Sequence, residues 1–224
     1  MTELPVVVAI DGPGGVGKST VARRLARRLD RCYVDTGATY RAMAREALRR
    51  GLAPETTPAL ERFAAELDIA LVPGDDGATR VTVDGVLVPD GELRTPEVAQ
   101  ASSRFAALPA VRRRLSALQR EFALTHGGVL EGRDIGTVVF PETPHRYFFD
   151  ASPAVRAERR WKELQAAGSP LTLEEVRREI DERDRRDSSR TEAPLRRDQG
   201  YRIVDTGSAS ADEIVERLVV EITG

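Results

Sequence analysis

Val6-Val7-Val8-Ala9-Ile10-Asp11-Gly12-Pro13-Gly14-Gly15-Val16-Gly17-Lys18-Ser19-Thr20 passes from a continuous apolar run through a glycine-rich turn into a helix, and its reading decides the fold. Residues 6–10 have the character of a parallel strand covered on both faces, and Val21, Leu25 and Leu29 then recur at helical spacing. Between them Gly12, Gly17, Lys18 and Ser19 satisfy the spacing G-x-x-x-x-G-K-[ST]. Glycines let the backbone wrap closely, so that successive N–H groups and the positive helix end face phosphate oxygens. Gly12, Pro13, Gly14, Gly15, Val16, Gly17, Lys18, Ser19 and Thr20 are therefore expected to line a nucleoside triphosphate. Lys18 would lie across the β and γ phosphates, and the Ser19 hydroxyl would complete the shell of a Mg²⁺ ion. This loop predicts a triphosphate; alone it does not separate a kinase from a nucleotide switch.

The chain of 224 residues is long enough for one large domain, or for a core carrying small inserted modules. With 41% hydrophobic and 31% charged residues it has the composition of a soluble globular protein. Lys and Arg number 34 against 36 Asp and Glu, a formal charge of -2, which gives no reason to expect a nucleic-acid polymer as partner. No secretory signal precedes the first strand and no run reaches the ~20 apolar residues of a membrane span, so a cytoplasmic monomer is expected. The single cysteine, Cys32, excludes an intrachain disulfide and is read as buried filler. With only His126 and His145 beside it, a zinc site is not expected, and His126 before Gly127-Gly128 is read as a helix end or surface residue.

Short apolar runs at 6–10, 32–34, 129–130, 146–149 and 202–204 alternate with longer helical patterns at 18–29, 38–50, 58–67, 95–106, 110–126, 153–166, 172–190 and 210–222. That rhythm is the signature of a parallel α/β sheet. Pro109 implies a helix break at Leu108. The segment from Ile69 to Val88 departs from it: a strand, a Pro73–Gly77 turn, the alternation Arg80-Val81-Thr82-Val83 and an Asp84-Gly85 turn predict an antiparallel meander. Such an insert is expected to edge the pocket beside the phosphate loop.

A second departure lies in Thr172–Arg190. Leu173, Val176 and Ile180 form an apolar stripe, and the same spacing continues into Arg183, Asp187 and Arg190, with Arg186 beside the line. Charges on an inward face suggest an arm that brings arginines over phosphates. Two further blocks sit where strands of an open α/β sheet end: Asp35-Thr36-Gly37-Ala38-Thr39-Tyr40-Arg41 and Glu131-Gly132-Arg133-Asp134-Ile135-Gly136. Thr36 is read as a helix cap or ligand contact, and Arg41, Arg133, Arg183, Arg186 and Arg190 are more guanidiniums than one triphosphate needs. They imply a second phosphorylated ligand opposite the first.

IDGPGGVGKST, DTGATYR, EGRDIGTVVFP and EIDERDRRDSSR together resemble the bacterial cytidylate kinase family, over nearly the whole chain from Val7 to about Asp205. The resemblance implies a P-loop NTPase fold: a five-stranded parallel sheet flanked by helices, with a small antiparallel β insert and a helical lid. It divides the chain into core 1–67, an inserted monophosphate-binding lobe 68–92, core 93–154, lid 155–193 and core 194–224. It implies transfer of the γ-phosphoryl of ATP, with Mg²⁺, to CMP or dCMP. Arg41 and Arg133 would grip the CMP phosphate, and Thr36 keeps a hydroxyl near it. Ser103, Arg112 and Asp134 would read the cytosine, while Asp187 with Arg183 would reach the ribose. Arg186 and Arg190 would bridge donor and acceptor phosphates, completing a catalytic set with Lys18, Arg133 and Arg183. Some family members have an aspartate where this chain has Glu131. Kinases for UMP, AMP or shikimate share the sheet and loop, and a nucleotide-dependent switch shares the loop alone.

Overall fold

The computed structural model describes residues 6–224, so residues 1–5 of the expected core segment lie outside it. The parallel strands are β1 (Val7–Asp11), β2 (Tyr33–Asp35), β6 (Gly128–Gly132), β7 (His145–Asp150) and β8 (Arg202–Asp205). A separate antiparallel sheet holds β3 (Ile69–Pro73), β4 (Thr79–Val83) and β5 (Val86–Leu87). Around them lie α1 (Lys18–Arg28), α2 (Thr36–Arg49), α3 (Pro58–Glu66), α4 (Asp90–Leu93), α5 (Pro96–Phe105), α6 (Pro109–His126), α7 (Pro153–Ala166), α8 (Leu173–Ser189) and α9 (Ala211–Thr223).

The five-stranded sheet has the order β2-β6-β1-β7-β8, and each of its pairs is parallel. Central β1 is buried along its whole length, as its apolar run requires. Its side chains alternate between two cores. Val7 and Ala9 join Val34, Leu130 and residues of α2, α3 and α6, whereas Val8 and Ile10 join Val129, Tyr147, Phe149 and residues of α1 and α9. The register sets Asp11 opposite Gly132 on β6 and Phe148 on β7, so the loops after β1 and β6 leave the sheet side by side. Strand order reverses about β1, which makes this carboxyl edge the natural crevice for a ligand.

The meander forms as expected, but its strands are fused to the main core: Ile69, Leu71, Val81 and Val83 share a cluster with Val34 and Leu130. Its Gly74–Gly77 turn reaches the start of β2, where Tyr33 N donates to Gly77 O at 2.8 Å. That is the end of β2 remote from the crevice. Arg94, just after α4, reaches the crevice, with its Nη2 3.6 Å from Asp35 Oδ2.

Helices α7 and α8 pack on each other through Ala157, Val176 and Ile180, with Trp161, Leu164 and Leu171 around them. This small cluster is separate from both sheet cores. Leu173, expected in the apolar stripe, is exposed instead, because it opens α8 beside its Thr172 capping box. A short π-helical turn over Ile135–Val139 was not expected from the sequence. Pro109 opens α6 after the break at Leu108, Cys32 is half-buried against the core, and His126 stacks on Phe122 at the exposed end of α6. Among the described residues no helix is long and apolar enough to cross a membrane.

Candidate active site

The phosphate loop leaves β1 at Gly12, whose φ of +150° and position against β7 exclude a side chain: a Cβ there would sit 2.4 Å from Phe149 O. Gly15, at φ +73°, faces Arg156 O at the start of α7 with only 2.8 Å for a Cβ. Gly17 caps α1 in the left-handed region without a side-chain hydrogen bond, leaving the first N–H groups of α1 to serve an anion. Val16 is fully buried, and its carbonyl accepts from Thr206 Oγ1 at 2.8 Å, tying the loop to the end of β8.

Lys18 is buried, and its Nζ donates to Gly12 O at 2.8 Å and Pro13 O at 2.7 Å. Burial, seconded by the charges of Arg133 and Arg183 and opposed by Glu131 and Asp11, brings its pKa down to about 7. A bound polyphosphate would reverse that shift by adding negative charge beside the ammonium. Ser19 and Thr20 are exposed on the first turn of α1. At the other side of the loop Gly14 O accepts from Arg156 Nη1 at 3.1 Å, and Arg156 is paired at 2.5 Å with Asp184 of α8. Helices α7 and α8 therefore touch the loop directly.

The second group of predicted residues gathers across the crevice. Thr36 Oγ1 donates to Glu131 O at 2.6 Å, joining the ends of β2 and β6. The cap of α2 is Asp35 rather than Thr36: Asp35 Oδ1 accepts from Ala38 N, and Oδ2 accepts from Arg41 Nη2 at 2.7 Å. Burial raises the Asp35 pKa, but Arg41 and then Arg94 outweigh it and hold the carboxyl below its ordinary value. Arg41 thus has a fixed guanidinium whose Nε is buried without a protein partner.

Deeper in, Arg112 of α6 and Asp134 form an ion pair at 2.5 Å between side chains only 4% and 6% exposed. Arg112 Nη1 also donates to Ala106 O, its guanidinium lies over the Tyr40 ring, and its Nε has no protein partner. Buried Ser103 of α5 receives a hydrogen bond from Arg186 Nη1 at 2.9 Å. Asp187, buried on α8, gathers three arginines: Arg133 Nε at 3.0 Å, Arg190 Nη1 at 3.7 Å and Arg183 Nε at 4.0 Å. Burial would raise its pKa; Arg133, Arg183 and Arg190 overcome that and hold it low. Repulsion from Arg133, with burial added, brings Arg183 down to about 10.

The structure therefore brings the four motif blocks to one crevice. On α8, Arg186 meets Ser103, while Arg190 shares Asp187 with Arg133 and Arg183.

Sequence reasoning missed Asp35 as the residue that fixes Arg41, Arg94 as a second guanidinium beside it, and the Arg156–Asp184 pair. It also missed the carboxylate of Asp11, which accepts from Ile135 N and Gly136 N at the next loop. Asp11 and Asp35 stood inside quoted motifs and carried a positional signal; Arg94 and Asp184 had none apart from their neighbours.

Among the described residues no group of three or more His, Cys, Asp or Glu side chains is placed to hold a metal ion. Ser19 at the loop exit is the donor available for a hard cation carried on nucleotide phosphates. This suits Mg²⁺, which keeps waters and phosphate oxygens as most of its ligands.

A solved structure of an uncharacterized protein from Eubacterium ventriosum superposes with a TM-score of 0.52 at 14% identity, covering 97% of this chain and 98% of that one, a likeness of fold alone. Sequence comparison is more specific. A cytidylate kinase from Syntrophotalea carbinolica is 42% identical over 96% of this chain and 90% of its own length. Another from Pelotomaculum thermopropionicum is 44% identical, covering 96% of this chain and 95% of its own. The family model described as cytidylate kinase matches residues 8–224, and with these relatives it establishes that the chain belongs to the cytidylate kinase family.

Proposed function

We propose that the chain transfers the γ-phosphoryl group of ATP to CMP or dCMP, giving CDP or dCDP and ADP. The observation that carries this reading is the pairing, in one crevice, of a phosphate loop with a second group of arginines gathered about Asp35, Asp187 and the buried Arg112–Asp134 pair. The loop alone serves many reactions; this second group suits an acceptor that is itself an anion with a polar base.

Lys18 and the N–H groups of Gly14–Thr20 hold the donor phosphates, and Ser19 directs a hydroxyl toward Mg²⁺. Held by Ser19 and the nucleotide, the ion would supply positive charge to offset the negative charge of the phosphates. Arg41, steadied by Asp35, and Arg133 hold the acceptor phosphate, with Thr36 beneath them. The acceptor is already a nucleophile near neutral pH, so the protein's work is in-line placement and neutralisation of the moving phosphoryl. Arg133 and Arg183 act on that charge together with Lys18. Asp187 holds both in place and faces the ribose with Arg183. Arg186 and Arg190 bridge the donor and acceptor phosphates.

Cytosine offers an N4 donor with N3 and O2 acceptors, which the Asp134 carboxylate, the Arg112 guanidinium and the Ser103 hydroxyl complement. Uracil inverts part of that pattern and leaves buried groups unpaired. Residues 68–92 and 155–193 act as monophosphate-binding lobe and lid on a core of 1–67, 93–154 and 194–224, and closure excludes water that would otherwise hydrolyse ATP. The small, separate core of α7 and α8 supports a lid that moves as a unit. We read the protein as a cytoplasmic monomer without membrane or nucleic-acid partners.

The direct test is product analysis with ATP, Mg²⁺ and CMP. CDP and ADP should appear in equal amounts; ADP formed at the same rate without CMP would replace this reading by an ATPase or switch.

A further inference from the structure

Asp11 ends β1 one residue before Gly12 and is fully buried. Its Oδ1 accepts from Ile135 N at 2.9 Å, and its Oδ2 accepts from Gly136 N at 2.8 Å and from Tyr201 Oη at 2.7 Å. Both oxygens are thus committed to protein donors. The turn they hold begins with Arg133 and Asp134, the residues assigned above to the acceptor's phosphate and base. We propose that Asp11 is a positioning residue that locks the acceptor-binding turn to the strand bearing the phosphate loop, so that the two nucleotides meet in line.

This inference rests on the kinase reading given above and adds to it a residue that touches neither substrate. Three further contacts show that the lock is built. Gly136 O accepts from Arg146 Nη1 at 3.0 Å, so the peptides on both sides of Gly136 are held. A Cβ at Gly136 would sit 2.8 Å from Tyr201 Oη, so Tyr201 closes over the turn only because no side chain stands there. Tyr201 is itself fixed edge-on to Phe148 of β7 at 5.8 Å.

The chemistry demands a carboxylate. Burial pushes the Asp11 pKa up to about 6, against the opposing pull of the bonds from Gly136, Tyr201 and Ile135. The group is nevertheless the one side chain of its length that offers an acceptor to each backbone donor. An asparagine cannot replace it, because either amide orientation sets its NH₂ against a backbone N–H.

Asp11→Asn and Tyr201→Phe, assayed with ATP and CMP at pH 8, test the proposal. Asp11→Asn should raise the KM for CMP about tenfold while the KM for ATP changes by less than about twofold. Tyr201→Phe leaves both backbone bonds and should raise the KM for CMP by about twofold only. If Asp11→Asn does not fold, Tyr201→Phe decides through amide exchange at Gly136, which should be faster than in the wild type; unchanged exchange there would overturn the proposal. Proportional loss for both substrates, or an unmoved KM for CMP, would overturn the proposal. A wild-type protein that makes no CDP would instead defeat the kinase reading itself.

Discussion

Replacing Asp134 by alanine separates two things that the Arg112–Asp134 pair does at once. The side chains are 4% and 6% exposed, and removing the carboxylate leaves Arg112 buried with one bond to Ala106 O and an unpartnered Nε. Breaking a buried pair by removing one member costs about 3–5 kcal/mol. At about 2–4 °C per kcal/mol for a domain of this size, the melting temperature should fall by roughly 10 °C. Loss of the acceptor for the cytosine amino group should lower the preference for CMP over UMP by about ten- to a hundredfold in kcat/KM. The double variant Arg112→Leu/Asp134→Leu removes both charges and fills the space, so it should regain most of the stability and none of the selectivity. Thermal unfolding and paired CMP and UMP kinetics on the three proteins provide the assay. An Asp134→Ala protein that kept the wild-type CMP to UMP ratio would refute the base-reading role, and a double variant as unstable as the single one would refute the energetic argument.

Arg186→Ala should lower kcat with little change in the KM for CMP; steady-state kinetics showing an unchanged kcat would remove Arg186 from the transferring phosphoryl. Burial brings the Lys18 pKa down to about 7, and the phosphates of ATP restore its charge, so binding at pH 8 should take up a proton. Calorimetry in two buffers of different ionisation enthalpy should then give different apparent heats, and equal heats would contradict the assignment. Asp187 has a folded pKa below its unfolded value, so its stabilisation is present above the ordinary carboxylate range and is lost as pH falls through the lowered value. Urea unfolding from pH 7 to 3 should show a shallower acid loss in Asp187→Asn than in the wild type.

The parallel sheet was legible because buried strands leave continuous apolar runs, and Val6–Ile10 led into a loop whose glycines are needed for steric reasons that the structure bears out at Gly12 and Gly15. The meander was legible from its turns, yet where it packs was not: Gly77 meets Tyr33 across a contact that no local pattern encodes. The same limit applies to the site. Arg41 and Arg133 announced themselves by following strands, whereas the partners that aim them, Asp35 with Arg94 and Asp187 with Asp11 behind the turn, depend on strand order and lid docking. Helical spacing put Arg183, Asp187 and Arg190 on one face, and Asp187 does become the hub of that face. It could not tell which arginine would meet Ser103, because that depends on how α8 lies against α5.

Selection of the acceptor by its base is the central claim. A coupled assay of ADP formation with ATP, Mg²⁺ and, in turn, CMP, dCMP, UMP, AMP and GMP tests it most directly. Turnover should be efficient with CMP and dCMP, much weaker with UMP, and low with either purine. Equal rates across the panel, or a purine monophosphate as the best acceptor, would contradict it.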